Sequence, residues 1–388
     1  MEKIIEFNLY KYNLPLATSI KIKNNSISER SGVVINIKTS SGSTCFGEAA
    51  PLPFLHKENL SEVILQLKSI REIIFKRKIE KKINLNFDIK SKFLNPFSGS
   101  FNFFNYIFSK YDIFPSVRFG IEMALFNLFI MNSEFETDLK KSCGNILPVC
   151  KLYTNLKSDL ESDIDKIIEN GYKAIKVKVG REPMDYEINR IKKIKKIISS
   201  KKNCKVILRL DSNGLWDFDK AIYFGKQIGN NLIEYIEDPL NDLNKYPMFF
   251  SETNIPVALD EKLIDFMKIS DAKTINKADF KYLKAFVLKP NFIGGFSRTS
   301  DLITIAKEKG IIPVLSNAFE SNLAISSIAL FAGFMNLNTI PIGIDTINYF
   351  TDNLLRENLK VINGSINLIE VLKNINKIDF NLLKPIDF

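Results

Sequence analysis

Charged and strongly polar residues follow five successive apolar runs in the middle of the chain. In chain order they are Lys176 and Lys178, then Arg209, Asp211 and Asn213, then Glu237 and Asp238, then Asp260 and Glu261, and finally Lys289. A buried ion pair would explain any one of them, because a charge in an apolar strand is costly unless it is paired or functional. Five successive runs with the same kind of ending are better explained as one site, in which three carboxylates are flanked by lysines.

The three acids Asp211, Glu237 and Asp260 supply hard oxygen ligands without histidine or cysteine. That composition suits Mg²⁺, with Mn²⁺ as the alternative, and leaves coordination positions for water and a substrate carboxylate. A divalent ion on a carboxylate stabilises the enediolate that forms when the adjacent carbon loses its proton. A lysine close to a second lysine and to a dication has a lowered pKa and can act as the base near neutrality. The set predicts proton abstraction next to a carboxylate.

The remaining reactive residues narrow the chemistry by exclusion. His56 is the single histidine, so a multi-histidine metal site is impossible and a serine–histidine–aspartate mechanism could use only this residue. We expect His56 to be an exposed loop residue. The four cysteines Cys45, Cys143, Cys150 and Cys204 show no CxxC pair and no metal-ligand spacing, which is typical of reduced thiols in a cytosolic protein.

The chain has 388 residues and a net charge of +10. A basic balance can favour nucleic acid, membrane surfaces or acidic metabolites. Here the lysines are scattered through helical stretches such as residues 190–202, without an aromatic-interleaved basic block, so we interpret them as solvated helix faces. We expect neither nucleic acid nor membrane as a partner. The alternative to an enzyme is a basic, catalytically silent protein that binds nucleic acid or an anionic surface, and only the net charge supports it. The absence of a signal-like segment or membrane-spanning apolar run favours the cytoplasm.

Short apolar runs recur at a nearly constant interval after residue 148. They cover residues 149–153, 174–179, 206–210, 233–236, 257–259, 285–288, 312–315 and 340–344, with helix-like segments at 188–199, 219–228, 300–309 and 323–334. Eight strands alternating with helices favour a parallel α/β barrel, whose active site lies at the C-terminal strand ends. A doubly wound open sheet is the alternative, weakened because no glycine-rich dinucleotide loop and no P-loop follows any strand.

The first part of the chain has a different, mixed pattern. Strands are predicted at residues 4–10, 18–23, 31–38 and 44–48, and helices at 60–78 and 117–131. We therefore predict an α+β domain over residues 1–115 and a modified TIM barrel over 116–355.

Taken as a set, the motifs of this chain resemble those of the enolase superfamily, in its muconate-lactonizing-like branch. The motifs, in order, are Lys-x-Lys at 176–178, Asp-x-Asn at 211–213, Glu-Asp-Pro at 237–239, Asp-Glu-Lys at 260–262 and Lys-Pro at 289–290. The resemblance implies a (β/α)7β barrel with an N-terminal capping domain, to which residues 356–388 return. Segments 47–53, 209–216, 316–321 and 340–346 are most similar to the o-succinylbenzoate synthase family within that branch.

That resemblance implies a Mg²⁺-dependent dehydration that yields 2-succinylbenzoate in menaquinone biosynthesis. Lys178 would remove the proton next to the ring carboxylate, and Lys289 would stabilise the enediolate from the opposite face. Lys176 would tune Lys178, and the three acids Asp211, Glu237 and Asp260 would hold the metal. Ser316, Asn213 and Arg209 are the candidate substrate contacts.

The function within this branch has an alternative, and one residue near the metal ligands departs from the family's motif. The same two lysines would also serve an N-acylamino-acid racemase or dipeptide epimerase, which is the alternative function. Epimerases often present Asp-x-Asp near the eighth strand to hold a substrate ammonium, whereas this chain has Ile-Asp-Thr around Asp345, which favours the dehydratase. Lys262 replaces the serine that is usual after the Asp-Glu pair and could alter the charge near the metal.

Overall fold

The computed structural model describes residues 2–22, 25–76, 82–83, 107–141, 144–154, 159–201, 205–269 and 281–387. They form an N-terminal antiparallel sheet with its helices and a curled parallel sheet surrounded by helices. Cys45 and Cys150 are buried, whereas Cys143 and Cys204 lie outside the described residues. Within these ranges no helix is both long enough and apolar enough to cross a membrane.

The antiparallel sheet consists of three long strands and two short ones. They are β1 (Glu2–Ile22), β2 (Asn25–Thr39), β3 (Thr44–Ala49), β4 (Lys82–Ile83) and, from the far end of the chain, β14 (Lys384–Pro385). The prediction of separate strands at 4–10 and 18–23 is wrong, because β1 runs through both segments. A register shift between Pro15 and Ile20 explains the break in the pattern, since a bulge changes which side chains face the core.

Helix α1 (Leu60–Lys76) and helix α2 (Pro115–Met131) pack against this sheet. The predicted helix at 60–78 ends at Lys76 in the described part, and residues 77–78 lie outside it. Proline at the first position of α2 suits a helix start, because a backbone N–H at that position would have no acceptor within the helix. The helix is buried over nearly its whole length, and Gly47 on β3 faces Gly120 so closely that a Cβ at Gly47 would lie 2.0 Å from the Gly120 carbonyl oxygen. Glycine at this contact lets α2 pack directly on the sheet.

The parallel sheet has seven strands in the order β12-β11-β10-β9-β8-β7-β6. Its strands are β6 (Cys150–Tyr153), β7 (Ala174–Lys178), β8 (Ile207–Asp211), β9 (Ile233–Glu237), β10 (Val257–Leu259), β11 (Leu283–Leu288) and β12 (Ile312–Leu315). The helices are α3 (Phe135–Lys141), α4 (Leu160–Glu169), α5 (Met184–Ser200), α6 (Phe218–Ile228), α7 (Tyr246–Thr253), α8 (Leu263–Ile269), α9 (Pro290–Ile293), α10 (Phe296–Lys309), α11 (Asn322–Phe334) and α12 (Leu368–Asn374). A small two-stranded sheet, β5 (Ile146–Pro148) with β13 (Ser365–Asn367), completes the fold. The predicted barrel-type α/β class with an N-terminal cap is confirmed.

The eighth predicted strand, at 340–344, is not a regular strand. Ile342 forms a single parallel bridge with Val149, and Gly343 forms one with Ser316. The Cys150 N–H donates to the Ile342 carbonyl at 2.8 Å, and the Gly343 N–H donates to the carbonyl of residue 315 at 2.8 Å. This segment therefore joins the two edge strands of the parallel sheet with only a few hydrogen bonds.

Two contacts join the N-terminal strands of the cap sheet to segments from the second half of the chain. The fully buried carboxylate of Glu48 on β3 accepts the backbone N–H of Ser321 at 3.0 Å and of Ala324 at 3.3 Å, at the start of α11. A carboxylate at this position satisfies helix N–H groups that have no partner within the helix. In addition, β14 pairs with β1, with Tyr10 opposite Pro385. The domain boundaries given above stay predictions.

Candidate active site

Charged side chains meet at the C-terminal ends of β7 to β11. Parallel pairing places Lys178 opposite Asp211 and Asp211 opposite Glu237. Asp260 directly follows β10, and Lys289 directly follows β11. Because strand residues two apart share a face, Lys176 points to the same side as Lys178. The structure brings together all six residues predicted as catalytic or metal-binding: Lys176, Lys178, Asp211, Glu237, Asp260 and Lys289.

The three lysines differ in how they are paired. The Lys176 Nζ lies 2.9 Å from Asp211 Oδ2 and 2.5 Å from Glu237 Oε2. The Lys289 Nζ lies 2.6 Å from Asp260 Oδ2. The Lys178 Nζ lies 3.7 Å from Asp211 Oδ2, and it donates at 3.3 Å to the side-chain oxygen of the neutral residue Asn213. Lys178 is thus the lysine of this cluster without a short carboxylate contact.

This difference separates the acid–base properties of the lysines. Burial lowers the pKa of Lys178, and the charge of Lys176 lowers it further, against the opposing effect of Asp211. Burial acts in the same direction on Lys289, but the Asp260 carboxylate outweighs it and the pKa of Lys289 is raised. For Lys176 burial is likewise outweighed by Asp211 and Glu237, so its pKa is also raised. Lys178 is the amine that most readily gives up its proton to become a base.

The buried acids also differ in how far neighbouring lysines offset the effect of burial on their pKa. Burial alone would raise the pKa of Asp211, but Lys176 and Lys178 hold it well below its usual range. Burial, together with the repulsion of Asp211 and Asp260, raises the pKa of Glu237 to about 7 against the attraction of Lys176. An additional positive charge beside Glu237 would therefore stabilise its ionised form.

The donor set fits a hard divalent cation. Asp211, Glu237 and Asp260 are each less than a tenth exposed and belong to three adjacent strand ends. Across the described ranges no three acidic, histidine or cysteine side chains are arranged as a metal site. The Lys176 amine contacts Asp211 and Glu237, and the Lys289 amine contacts Asp260. A cation would replace some of these ion pairs, which the three-acid chemistry allows.

The candidate substrate contacts lie in different surroundings. Asn213, in the left-handed region at φ 48°, lies two residues after the C-terminal end of β8 and contacts Lys178. Arg209 is buried within the barrel and donates to Glu234 Oε2 at 2.7 Å and to the carbonyl of Pro341 at 2.5 Å. The Ser316 hydroxyl donates to the carbonyl of Gly343 at 2.9 Å. Their roles toward a substrate stay predictions, and only Asn213 contacts a predicted catalytic residue through its side chain.

Two residues near the site had no assigned role from the sequence. The Asp238 carboxylate lies 3.3 Å from the backbone nitrogens of both Asp260 and Lys262, so it fixes the turn that follows β10. Arg181, three residues after Lys178, donates to the same amide oxygen of Asn213 that Lys178 contacts. The sequence offered one indication of a role for Arg181, namely its position three residues after the strand-end Lys178.

His56 lies in a loop as predicted, but the prediction that it is exposed is wrong. Its Nδ1 accepts the Leu52 N–H at 2.9 Å, its Nε2 lies 3.4 Å from the Asn291 carbonyl, and its ring stacks on Phe292 at 4.1 Å. The loop after β3 therefore contacts the turn that follows Lys289. A sequence pattern does not reveal this contact, because Asn291 and Phe292 are more than 230 residues away from His56 in the chain.

Comparison with protein-family models gives two matches. Residues 159–371 match the model described as Enolase C-terminal domain-like. Residues 4–85 match the model described as MenC, N-terminal domain. Together they cover most of β1, all of β2 to β4, and β7 to β13.

Curated proteins of similar sequence include one from a plant and several from bacteria. Protein PHYLLO, chloroplastic, of Arabidopsis thaliana is 28% identical over 87% of this chain, which spans only 20% of that longer protein. An o-succinylbenzoate synthase of Vibrio cholerae is 28% identical over 89% of this chain and 90% of its own length.

Solved structures share the fold. A MenC from Desulfotalea psychrophila has a TM-score of 0.72 at 22% identity, with 94% of this chain and 99% of that chain covered. The L-Ala-D/L-Glu epimerase from Bacillus subtilis has a TM-score of 0.69 at 19% identity, with 94% and 96% covered. An enolase superfamily member from Roseovarius nubinhibens, complexed with magnesium, has a TM-score of 0.75 at 15% identity, with 100% and 99% covered.

Proposed function

Because the chain belongs to the enolase superfamily, we propose that it acts as an o-succinylbenzoate synthase. The reaction is the dehydration of 2-succinyl-6-hydroxy-2,4-cyclohexadiene-1-carboxylate to 2-succinylbenzoate in menaquinone biosynthesis. The MenC-type N-terminal match and the names of the bacterial relatives support this choice within the superfamily.

The observation that carries the proposal is the unequal pairing of the two lysines on either side of the acids. Lys178 has no short carboxylate contact and a lowered pKa, whereas Lys289 is held in an ion pair with Asp260 and has a raised pKa. A one-base elimination requires one amine that accepts a proton and one that stays charged. The site supplies both roles, with Lys178 as the amine that accepts the proton and Lys289 as the amine that stays charged.

In the proposed reaction the neutral Lys178 amine takes the proton from the carbon that bears the ring carboxylate. The resulting enediolate is stabilised by the positive charge of Lys289. The electron pair of the broken C–H bond then forms the new ring double bond as the C–O bond at the neighbouring carbon breaks. Protonated Lys178 returns its proton to the departing hydroxyl, so water leaves and the ring becomes aromatic.

Asp211, Glu237 and Asp260 would hold Mg²⁺, or Mn²⁺ in its place. Bound there, the cation supplies Lewis-acid stabilisation of negative charge on the substrate carboxylate. Lys176, which contacts two of these acids, keeps them oriented and adds positive charge beside Lys178.

The eighth-strand region also argues against an epimerase. The Asp345 carboxylate accepts the Leu152 N–H at 3.0 Å and lies 2.8 Å from the Lys151 Nζ. A carboxylate already paired with a lysine is a poor partner for a substrate ammonium. We therefore expect weak or no epimerisation of dipeptides.

The test is aromatisation of the cyclohexadiene substrate, followed by ultraviolet absorbance. We expect turnover with Mg²⁺, no turnover with EDTA, and no turnover of Lys178→Ala with Mg²⁺. Lys193→Ala, which alters an exposed lysine on α5, is the matched control and should retain full activity. Absence of turnover together with racemisation of an N-succinyl amino acid would reject the dehydratase and support the racemase alternative.

A further inference from the structure

The loop that follows β7 is held rigidly beside the site. The buried carboxylate of Glu187, in the first turn of α5, accepts three successive backbone N–H groups. The distances are 2.7 Å from Gly180, 3.0 Å from Arg181 and 3.1 Å from Glu182. Three hydrogen bonds to one carboxylate fix this stretch of backbone. The backbone of Arg181 is therefore positioned beside the site before any ligand binds.

The Arg181 guanidinium lies close to the proposed base. Its Nη2 donates at 3.3 Å to Asn213 Oδ1, and the Lys178 Nζ donates to the same oxygen at 3.3 Å. The guanidinium therefore lies within two hydrogen-bond lengths of the amine that would take the substrate proton. It is exposed, whereas Lys178 is only partly exposed.

Arg181 also differs from the other cations of the site in its partners. Lys176 and Lys289 lie in short ion pairs, and Lys178 is assigned to proton transfer. Within the part of the chain that the structure describes, the Arg181 guanidinium donates to a neutral amide, and no acidic side chain forms an ion pair with it. A guanidinium carries five N–H donors in a planar fork that matches a carboxylate.

We propose that Arg181 binds a second carboxylate of the substrate and makes the site selective for dicarboxylates. This inference rests on the proposed function, in which one carboxylate lies at the three acids and the succinyl chain carries another. Arg181 is then a specificity-determining residue, with no part in proton transfer. One exposed side chain can provide this selectivity because the loop is already fixed, so little backbone conformational entropy is lost when the ligand binds.

The experiment compares two ligands that differ only in the remote charge. They are 2-succinylbenzoate and its methyl ester at the succinyl carboxylate, titrated calorimetrically into the Mg²⁺-loaded protein. We expect the wild type to bind the diacid about ten-fold or more tightly than the ester. Arg181→Gln should reduce this preference to about two-fold or less, and Arg181→Lys should retain part of it because charge remains without the fork. Lys193→Gln removes the same charge from the exposed face of α5 and should leave the preference unchanged.

Steady-state kinetics gives a second readout. Arg181→Gln should raise KM for the cyclohexadiene substrate about ten-fold or more, with kcat within about three-fold of the wild type. A wild type that does not distinguish diacid from ester, or an Arg181→Gln variant that keeps the preference, overturns the inference. If the wild type fails to dehydrate the substrate but shows an Arg181-dependent preference for the diacid, the proposed function fails and the carboxylate site stands.

Discussion

Replacing Gly295 by alanine tests how closely the cap-side helix α2 and the barrel fit beside the site. Gly295 precedes α10 at φ 108° and ψ 171°, a conformation that side chains rarely adopt. A Cβ there would lie 2.3 Å from Oε2 of Glu122, a buried residue of α2. That oxygen accepts the Ser297 N–H at 2.7 Å, so the carboxylate must move and lose this bond.

The magnitude follows from these terms. Backbone strain of this kind costs about 1 to 3 kcal/mol. Loss of a buried hydrogen bond to a charged group costs about 1.5 to 3 kcal/mol. Reduced freedom of the unfolded chain offsets about 0.4 to 1 kcal/mol. We expect Gly295→Ala to lower the free energy of unfolding by about 2 to 5 kcal/mol.

The assay is urea unfolding followed by circular dichroism and by the fluorescence of the single tryptophan, Trp216. Gly42→Ala is the matched control, because Gly42 has φ 89° but no atom within 4 Å of a new Cβ. It should cost about 1 to 2 kcal/mol, from strain alone. A second arm places Gly295→Ala in a Glu122→Ala background, where the cost should fall to that of the control. An unchanged cost in that background would refute the role of Glu122.

Three further predictions concern the site and its surroundings. Lys178→Arg keeps the charge but not the base, so kcat should fall about 100- to 10,000-fold with an unchanged melting temperature; a loss below ten-fold would count against Lys178 as the base. Mg²⁺ should raise the melting temperature of the wild type, and of Glu252→Gln as an exposed control, but not of Glu237→Gln, which lacks one ligand; equal shifts in all three would place the metal elsewhere. Burial lowers the pKa of His56, so the unfolded chain binds its proton more readily and stability falls as pH drops below about 6.5. His56→Gln should therefore lose less stability between pH 7.5 and 5.5 in urea unfolding, and an equal loss would disprove this assignment.

The seven regular barrel strands could be predicted because each is buried on both faces and reads as a short apolar run. The charged residues that end these runs, such as Asp211 and Lys289, were predictable for the same reason: parallel strands align their ends. The eighth strand was not, since the run at 340–344 is equally apolar but forms only isolated bridges. Whether an apolar segment forms a full ladder depends on its distance from both neighbours, which the sequence does not contain.

The contacts that tune the site could not be predicted. Glu187 and Asp238 act by accepting backbone N–H groups, and any residue type can supply these, so no pairing pattern appears in the sequence. The unequal pairing of Lys178 and Lys289 depends on distances that differ by about an ångström. Motifs gave the residue types, whereas their acid–base roles follow from geometry.

The attachment of the cap sheet to the barrel constrains the order in which this protein can fold during synthesis. β1 to β3 are made before the barrel, but Glu48 contacts the N–H groups of α11 only after residue 324 has been made. The strand that pairs with Tyr10, β14, is made later still. We expect the nascent cap sheet to keep the β1 edge that pairs with β14 open, and Glu48 without the N–H groups of α11, until residues 384–385 have been made, so that this half of the protein depends on chaperones during elongation.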